Sequence, residues 1–180
     1  MFDDKPQVSN SPKTHRVNGA IFNPSPDLMV MCQSPGSKSG KVALRDVAAF
    51  WYLKMVEAAR AQGIPLEYLS IWSGYRSKQQ QTVIWERKLK SIGEIRPSLT
   101  EEQAKAEARK WVAPPGSSAH ETGLAIDLNL GYKYLAANID DMKNTAAYKW
   151  LVANAAQFGY YPYSREPWHW VYNPEGGRRL

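Results

Sequence analysis

The sequence predicts an α+β domain, a small antiparallel sheet with helices packed around it. Three observations point there. Short alternating runs and longer helix-period runs are interspersed along 180 residues, a length suited to one compact domain. Hydrophobic residues make up 43% of the chain, with seven Trp and ten Tyr, which is enough apolar material for a core. Neither a nucleotide-binding glycine fingerprint nor a P-loop nor an internal repeat is present.

Residues 1–40 are rich in Pro, Ser, Asn and Gly and read as a turn-rich extension before a domain over 41–180. Within them "IFNPSPDLMVMCQ" has room for one or two short strands. From Val42 to Gln62 apolar residues recur at helical spacing, and Gly63 follows as a C-terminal cap. "PLEYLSIWSGYRS" alternates over a short run and predicts a strand ending near Gly74. Ser77 with Gln80, and Thr100 with Gln103, are capping-box pairs that open two helices. Together the stretch 86–115 reads as a helical excursion. "APPGSSAHETG" is a loop by composition. In "LAIDLNL", Leu124, Ile126, Leu128 and Leu130 share one strand face, and Ala125, Asp127 and Asn129 the other. Asn144 is placed to cap "TAAYKWLVANAAQFG", which stops at Gly159, and "WHWVY" is the last strand.

The net charge of +6 and pI near 9.4 suit an anionic partner, but the basic residues are scattered. No block resembles a nucleic-acid arm, and no nucleic-acid partner is expected. One cysteine, Cys32, excludes an intramolecular disulfide and a Cys-based zinc finger. Any metal site must draw on His and carboxylates. The apolar runs fall short of a membrane span. The polar start "MFDDKPQVSNSPKTHRVNG" lacks the apolar stretch of a signal peptide, so the route of any export is left open.

Three residues invite chemistry. Asp127 sits in an apolar run, where a carboxylate must be solvated, paired or bound to a cation. His120 lies seven residues earlier in a loop, and His169 is wedged between Trp168 and Trp170. Each alone has an ordinary structural explanation. Together, His, Asp and His form a legitimate set of three zinc ligands with the fourth position open, the mark of a catalytic site. Such a site still needs a carboxylate to carry the proton, and Glu166 is the candidate. Simple alternation puts Glu166 and His169 on opposite faces. The assignment therefore expects Glu166 to lie before the regular strand, with Pro167 turning the chain. His15 is given no role.

"SAHETGLAID" fits S-x-H-x-x-G-x-A-x-D, and "EPWHW" supplies E-x-x-H. With "SGYRS" upstream, these motifs resemble the VanY-type D-alanyl-D-alanine carboxypeptidases, of the zinc-peptidase group that includes lysostaphin and the hedgehog signalling domain. The three motifs span residues 73–170 in the expected order. The resemblance implies one zinc ion on His120, Asp127 and His169, with Glu166 as general base and then general acid. It implies that Arg76 faces the substrate's carbonyl oxygen or terminal carboxylate. Gln81 and Ser118 match positions that hydrogen-bond substrate. Gln81 is otherwise a helix-surface glutamine, and Ser118 otherwise only shapes its loop. Trp168 is either a cleft-lining residue or a core residue.

The expected activity is hydrolysis of bacterial peptidoglycan stem peptides with release of the C-terminal D-alanine. The expected protein is a monomer acting in the periplasm or cell envelope. Two other readings stand beside it. One is a peptidoglycan endopeptidase, as in a phage lysin or an exported antibacterial effector. The other is a non-catalytic wall-binding module that keeps the zinc pocket, which the presence of Glu166 disfavours. The choice among D,D-, L,D- and endopeptidase specificity is not legible.

Overall fold

A computed structural model describes residues 15–17, 20–22, 29–34, 41–131 and 139–175. The chain divides into two compact units, one of residues 1–75 with 123–180 and the other of residues 76–122.

The first unit is α+β. Strands β1 (His15–Val17) and β2 (Ala20–Phe22) pair antiparallel, as do β3 (Met29–Gln33) and β4 (Lys41–Arg45). Helix α1 (Asp46–Ala61) follows without a break. The helix expected from Val42 therefore begins four residues late. "KVALR" alternates, and its backbone groups are taken by β3 on one side and by the Tyr75 N–H, which donates to the Ala43 carbonyl at 2.8 Å. Strand pairing outweighs helix propensity over those residues. Beyond them the helical spacing holds: Ala48, Ala49, Tyr52, Leu53, Met55, Val56 and Ala59 are all buried on one stripe of α1.

Residues 66–69, expected in a strand, form a 3-10 turn, and only Ile71–Ser73 is extended, as β5. A buried polar relay explains the sharp change of direction. The Tyr52 hydroxyl donates to the Leu69 carbonyl at 2.9 Å, and the Ile71 N–H donates to Ser34 Oγ at 2.6 Å. Buried backbone groups must be paired, and this relay pairs two of them.

Strand β6 (Ala125–Leu128), helices α4 (Ile139–Asn144) and α5 (Ala146–Asn154), and strands β7 (Tyr160–Tyr163) and β8 (Glu166–Tyr172) complete the unit. The four-stranded sheet has order β5-β6-β8-β7 and is antiparallel throughout. Asn144 ends α4 and is not the cap of α5. Thr145, one residue later, takes that role because its hydroxyl accepts from the Tyr148 N–H at 3.1 Å while donating to the Met142 carbonyl at 2.7 Å. The α5 segment continues as a 3-10 turn and stops at Gly159, in the left-handed conformation at φ 75°. One cluster around Tyr52, Leu128, Leu151, Tyr160 and Trp170 forms the core beneath the sheet.

The second unit is built on α2 (Lys78–Ile95) and α3 (Glu101–Ala108). Both expected capping boxes are formed, Ser77 with Gln80 and Thr100 with Gln103. The two helices share a small core of Trp85, Ile92 and Ala108, with Leu89, Leu99, Ala104 and Val112 packed on it. In the segment expected as a loop, residues 119–122 wind into one 3-10 turn. No described helix is long and apolar enough to cross a membrane.

Candidate metal centre

The site begins with a register. Strands β6 and β8 place Asp127 directly opposite His169, and the carboxylate Oδ1 lies 2.8 Å from the imidazole Nδ1. Both side chains are buried, Asp127 at 6% and His169 at 9% exposure. All four residues of β6 are buried, so Asp127 is not the solvent-facing strand aspartate that its position alone would suggest. A buried carboxylate is costly unless paired or bound to a cation. The Tyr163 ring meets the His169 ring edge-on, with centroids 5.8 Å apart, and so holds its plane.

His120 lies in the 3-10 turn at 119–122 and is 2% exposed. Its backbone is fixed from outside the turn, because its carbonyl accepts from the Arg76 N–H at 3.2 Å. One ligand atom from each of His120, Asp127 and His169 lies within 4.8 Å of the other two. Two imidazoles and a carboxylate are an accepted zinc donor set, and bonds of about 2.0–2.2 Å in tetrahedral geometry hold ligand atoms about 3.3–3.6 Å apart. By its chemistry the donor set therefore fits a zinc ion.

Glu166 differs from expectation in one respect. It does not precede the regular strand but is the first residue of β8, paired with Tyr163. What breaks the alternation is a register shift between Pro162 and Tyr163: Pro162 faces Trp170, yet Tyr163 faces Glu166. The register passes from Trp170 directly to Glu166, and the Trp170 indole N–H closes this bulge by donating to the Pro167 carbonyl at 3.0 Å. Period-two alternation therefore does not govern the relation between Glu166 and His169. Glu166 is half-buried.

Arg76 follows β5 and is half-buried. The chain reaches it through Gly74, where a Cβ would meet the Ala43 carbonyl oxygen at 2.8 Å. Only glycine lets β4 pass so close. Gln81 is 1% exposed and not a helix-surface residue. Its Nε2 donates to the Ala113 carbonyl at 2.7 Å, while its Oε1 has no hydrogen-bond partner among the described residues. Ser118 is 6% exposed, and its hydroxyl has no partner among the described residues. Trp168 is 4% exposed within the main core, which leaves its ring little surface to offer a ligand. Sequence reading passed over Glu121, whose carboxylate accepts from the Gly116 N–H at 2.9 Å. The signal was available: Ser118-Ala119-His120-Glu121 is an S-x-x-E pattern like the two capping boxes that were read.

A family model described as VanY, D-alanyl-D-alanine carboxypeptidase, matches residues 41–175. A D-alanyl-D-alanine carboxypeptidase of Enterococcus faecalis is 36% identical over 140 residues, which is 71% of this chain and 47% of the relative. The chain thus spans about half the length of the curated relatives it matches first. Among solved structures, VanYB in complex with D-alanine-D-alanine is 30% identical with a TM-score of 0.56, covering 81% of this chain and 76% of that one. A mutant of the vancomycin-resistance D,D-pentapeptidase VanY from a VanB-type cassette, in complex with Zn(II), is 28% identical. Its TM-score is 0.55, covering 81% of this chain and 78% of that one.

Proposed function

The chain belongs to the VanY D-alanyl-D-alanine carboxypeptidase family, and from that premise we propose that it is a zinc-dependent carboxypeptidase removing the terminal D-alanine from peptidoglycan stem peptides. The observation that carries the reading is the grouping of His120, Asp127 and His169 ligand atoms within 4.8 Å. The relative solved with Zn(II) and the one solved with D-alanine-D-alanine support the metal and the substrate class. His120, Asp127 and His169 would hold the ion. Bound there, zinc would supply a water acidified toward neutrality and a Lewis acid for the scissile carbonyl.

The remaining work falls to this chain's own side chains. The Glu166 carboxylate takes a proton from the attacking water and returns it to the departing amine nitrogen of D-alanine. The Arg76 guanidinium, always charged and forked, meets the substrate's carbonyl oxygen or terminal carboxylate. The unpartnered Oε1 of Gln81 and the hydroxyl of Ser118 are the remaining polar contacts for the peptide. A buried acceptor without a donor is unfavourable by about 1–3 kcal/mol, and a substrate N–H relieves it. The substrate lies in the bacterial cell envelope, so that is the proposed place of action.

The test is a digest of purified muropeptides by the zinc-loaded protein, read by mass spectrometry. Loss of one alanine from pentapeptide stems supports the reading. Loss of alanine from tetrapeptide stems alone makes the enzyme an L,D-carboxypeptidase. Cleavage inside the stem or the cross-bridge makes it an endopeptidase and overturns the assignment.

A further inference from the structure

We propose that Glu121 is a positioning residue, whose carboxylate sets the loop that carries Ser118 and His120 and so leaves the Ser118 hydroxyl free for substrate. The inference rests on the function proposed above only for its substrate readout.

The geometry is that of a capping box with its parts redistributed. In an ordinary box the serine hydroxyl accepts from the N–H three residues on, and the Glu side chain reaches back to the serine N–H. Here Glu121 Oε1 does reach back, to the Ser118 N–H at 3.4 Å. The Glu121 N–H, however, donates to the Ser118 carbonyl at 3.0 Å and not to the hydroxyl. The serine side chain is therefore not consumed in capping.

The same carboxylate does more. Both its oxygens accept from the Gly116 N–H, Oε1 at 2.9 Å and Oε2 at 3.0 Å. Hydrogen bonds to an ionised acceptor are roughly twice as strong as neutral ones. The loop between Ala113 and Ser118 is thus pinned at its end by Glu121 and at its start by Gln81 Nε2. An internal turn, the Ser117 N–H and hydroxyl both on the Pro114 carbonyl, stiffens the middle. His120 sits between the Glu121 clamp on its N-terminal side and the Arg76 N–H on its own carbonyl. With both oxygens of Glu121 turned onto Gly116, this carboxylate acts through the loop backbone and not as a fourth metal ligand.

Three readouts on Glu121→Ala and Glu121→Gln, made in the full chain, test the assignment. Amide exchange over residues 113–120 rises in Glu121→Ala. Its zinc Kd, from competition with a chromophoric chelator, rises about 10-fold, as for other outer-shell partners. On stem pentapeptide its KM rises more than its kcat falls. Glu121→Gln keeps one acceptor oxygen and rescues zinc binding and KM. If Glu121→Ala does not fold, Glu121→Gln decides: its exchange at Gly116 must still exceed the wild type. Wild-type exchange, zinc Kd and KM in Glu121→Ala, with only a lower Tm, would overturn the proposal. A wild-type protein that binds zinc yet releases no alanine defeats the proposed function, while the exchange and Kd readouts still judge Glu121.

Discussion

Asp127→Asn separates the metal from the fold. The amide keeps the shape of the side chain and one acceptor for the His169 ring N–H, now 2.8 Å away. Without metal the change turns a charge-assisted hydrogen bond into a neutral one, a loss of about 1 kcal/mol. At this chain length each kcal/mol moves Tm by about 2–4 °C, so the metal-free proteins differ by that little. With zinc the two diverge. The ligand atoms meet only in the folded chain, because Asp127 and His169 are 42 residues apart and strand pairing alone sets them opposite. Binding to the native state alone at a hundred times Kd adds about 2.7 kcal/mol, or about 5–11 °C. Thermal unfolding with zinc, and again with a chelator, should show that increment in the wild type and its absence in Asp127→Asn. A wild type that gains nothing from zinc, or an Asp127→Asn protein that keeps the full gain, refutes the three-ligand site.

Other expectations follow from the same geometry. Glu166→Gln should bind zinc like the wild type in a chelator competition yet release D-alanine about 10²–10⁴-fold more slowly; near-normal turnover would remove Glu166 from the mechanism. Gly74→Ala forces a Cβ to within 2.8 Å of the Ala43 carbonyl, so denaturant unfolding should show a loss of about 1–3 kcal/mol. Cys32 is fully buried, and burial pushes its thiol from 9.0 up to about 12. Thiol reagents at pH 8 should therefore label it only after unfolding. The folded thiol keeps its proton where the unfolded one loses it. Its stabilising contribution is therefore complete below about pH 9 and falls by up to about 1.4 kcal/mol per pH unit as pH rises toward 12. The buried hydroxyls of Tyr52 and Tyr160, both raised by burial, act in the same direction. Stability that is flat from pH 8 to 11 would contradict this.

What the sequence made legible was whatever depends on neighbours in the chain. Both helix starts at Ser77 and Thr100 follow from side chains meeting backbone three residues away, and Gly159 stops its segment by its own φ. The grouping of His120, Asp127 and His169 was legible for a different reason, since the chain has only three histidines and Asp127 is a carboxylate in an apolar run. The misreadings lie where distant chain intervenes. Lys41–Arg45 is a strand because β3 claims it, and residues 66–69 turn because Tyr52, from α1, takes the Leu69 carbonyl. Neither partner is visible in a local window.

Glu166 and His169 show the limit most sharply. Alternation by itself forbade them a common task, and the sequence offered only Pro167 as a way out. The structure uses a different device, a bulge of three residues set by the Tyr163–Glu166 pairing and closed by the Trp170 indole on Pro167. A proline has no N–H to give a neighbouring strand, so it is tolerated in a sheet where the ladder is already interrupted. The proline and the bulge are therefore one feature, seen first as composition and then as register. That makes the closing indole a sensitive point. Trp170→Phe keeps most of the buried ring but removes the N–H donor, leaving the Pro167 carbonyl unpaired at a cost of about 1–3 kcal/mol. If the bulge sets where Glu166 stands relative to His169, kcat on stem pentapeptide should fall more than stability and zinc affinity alone explain. If activity per zinc-loaded, folded molecule is unchanged, the bulge is only a way of accommodating proline, and Glu166 owes its position to something else.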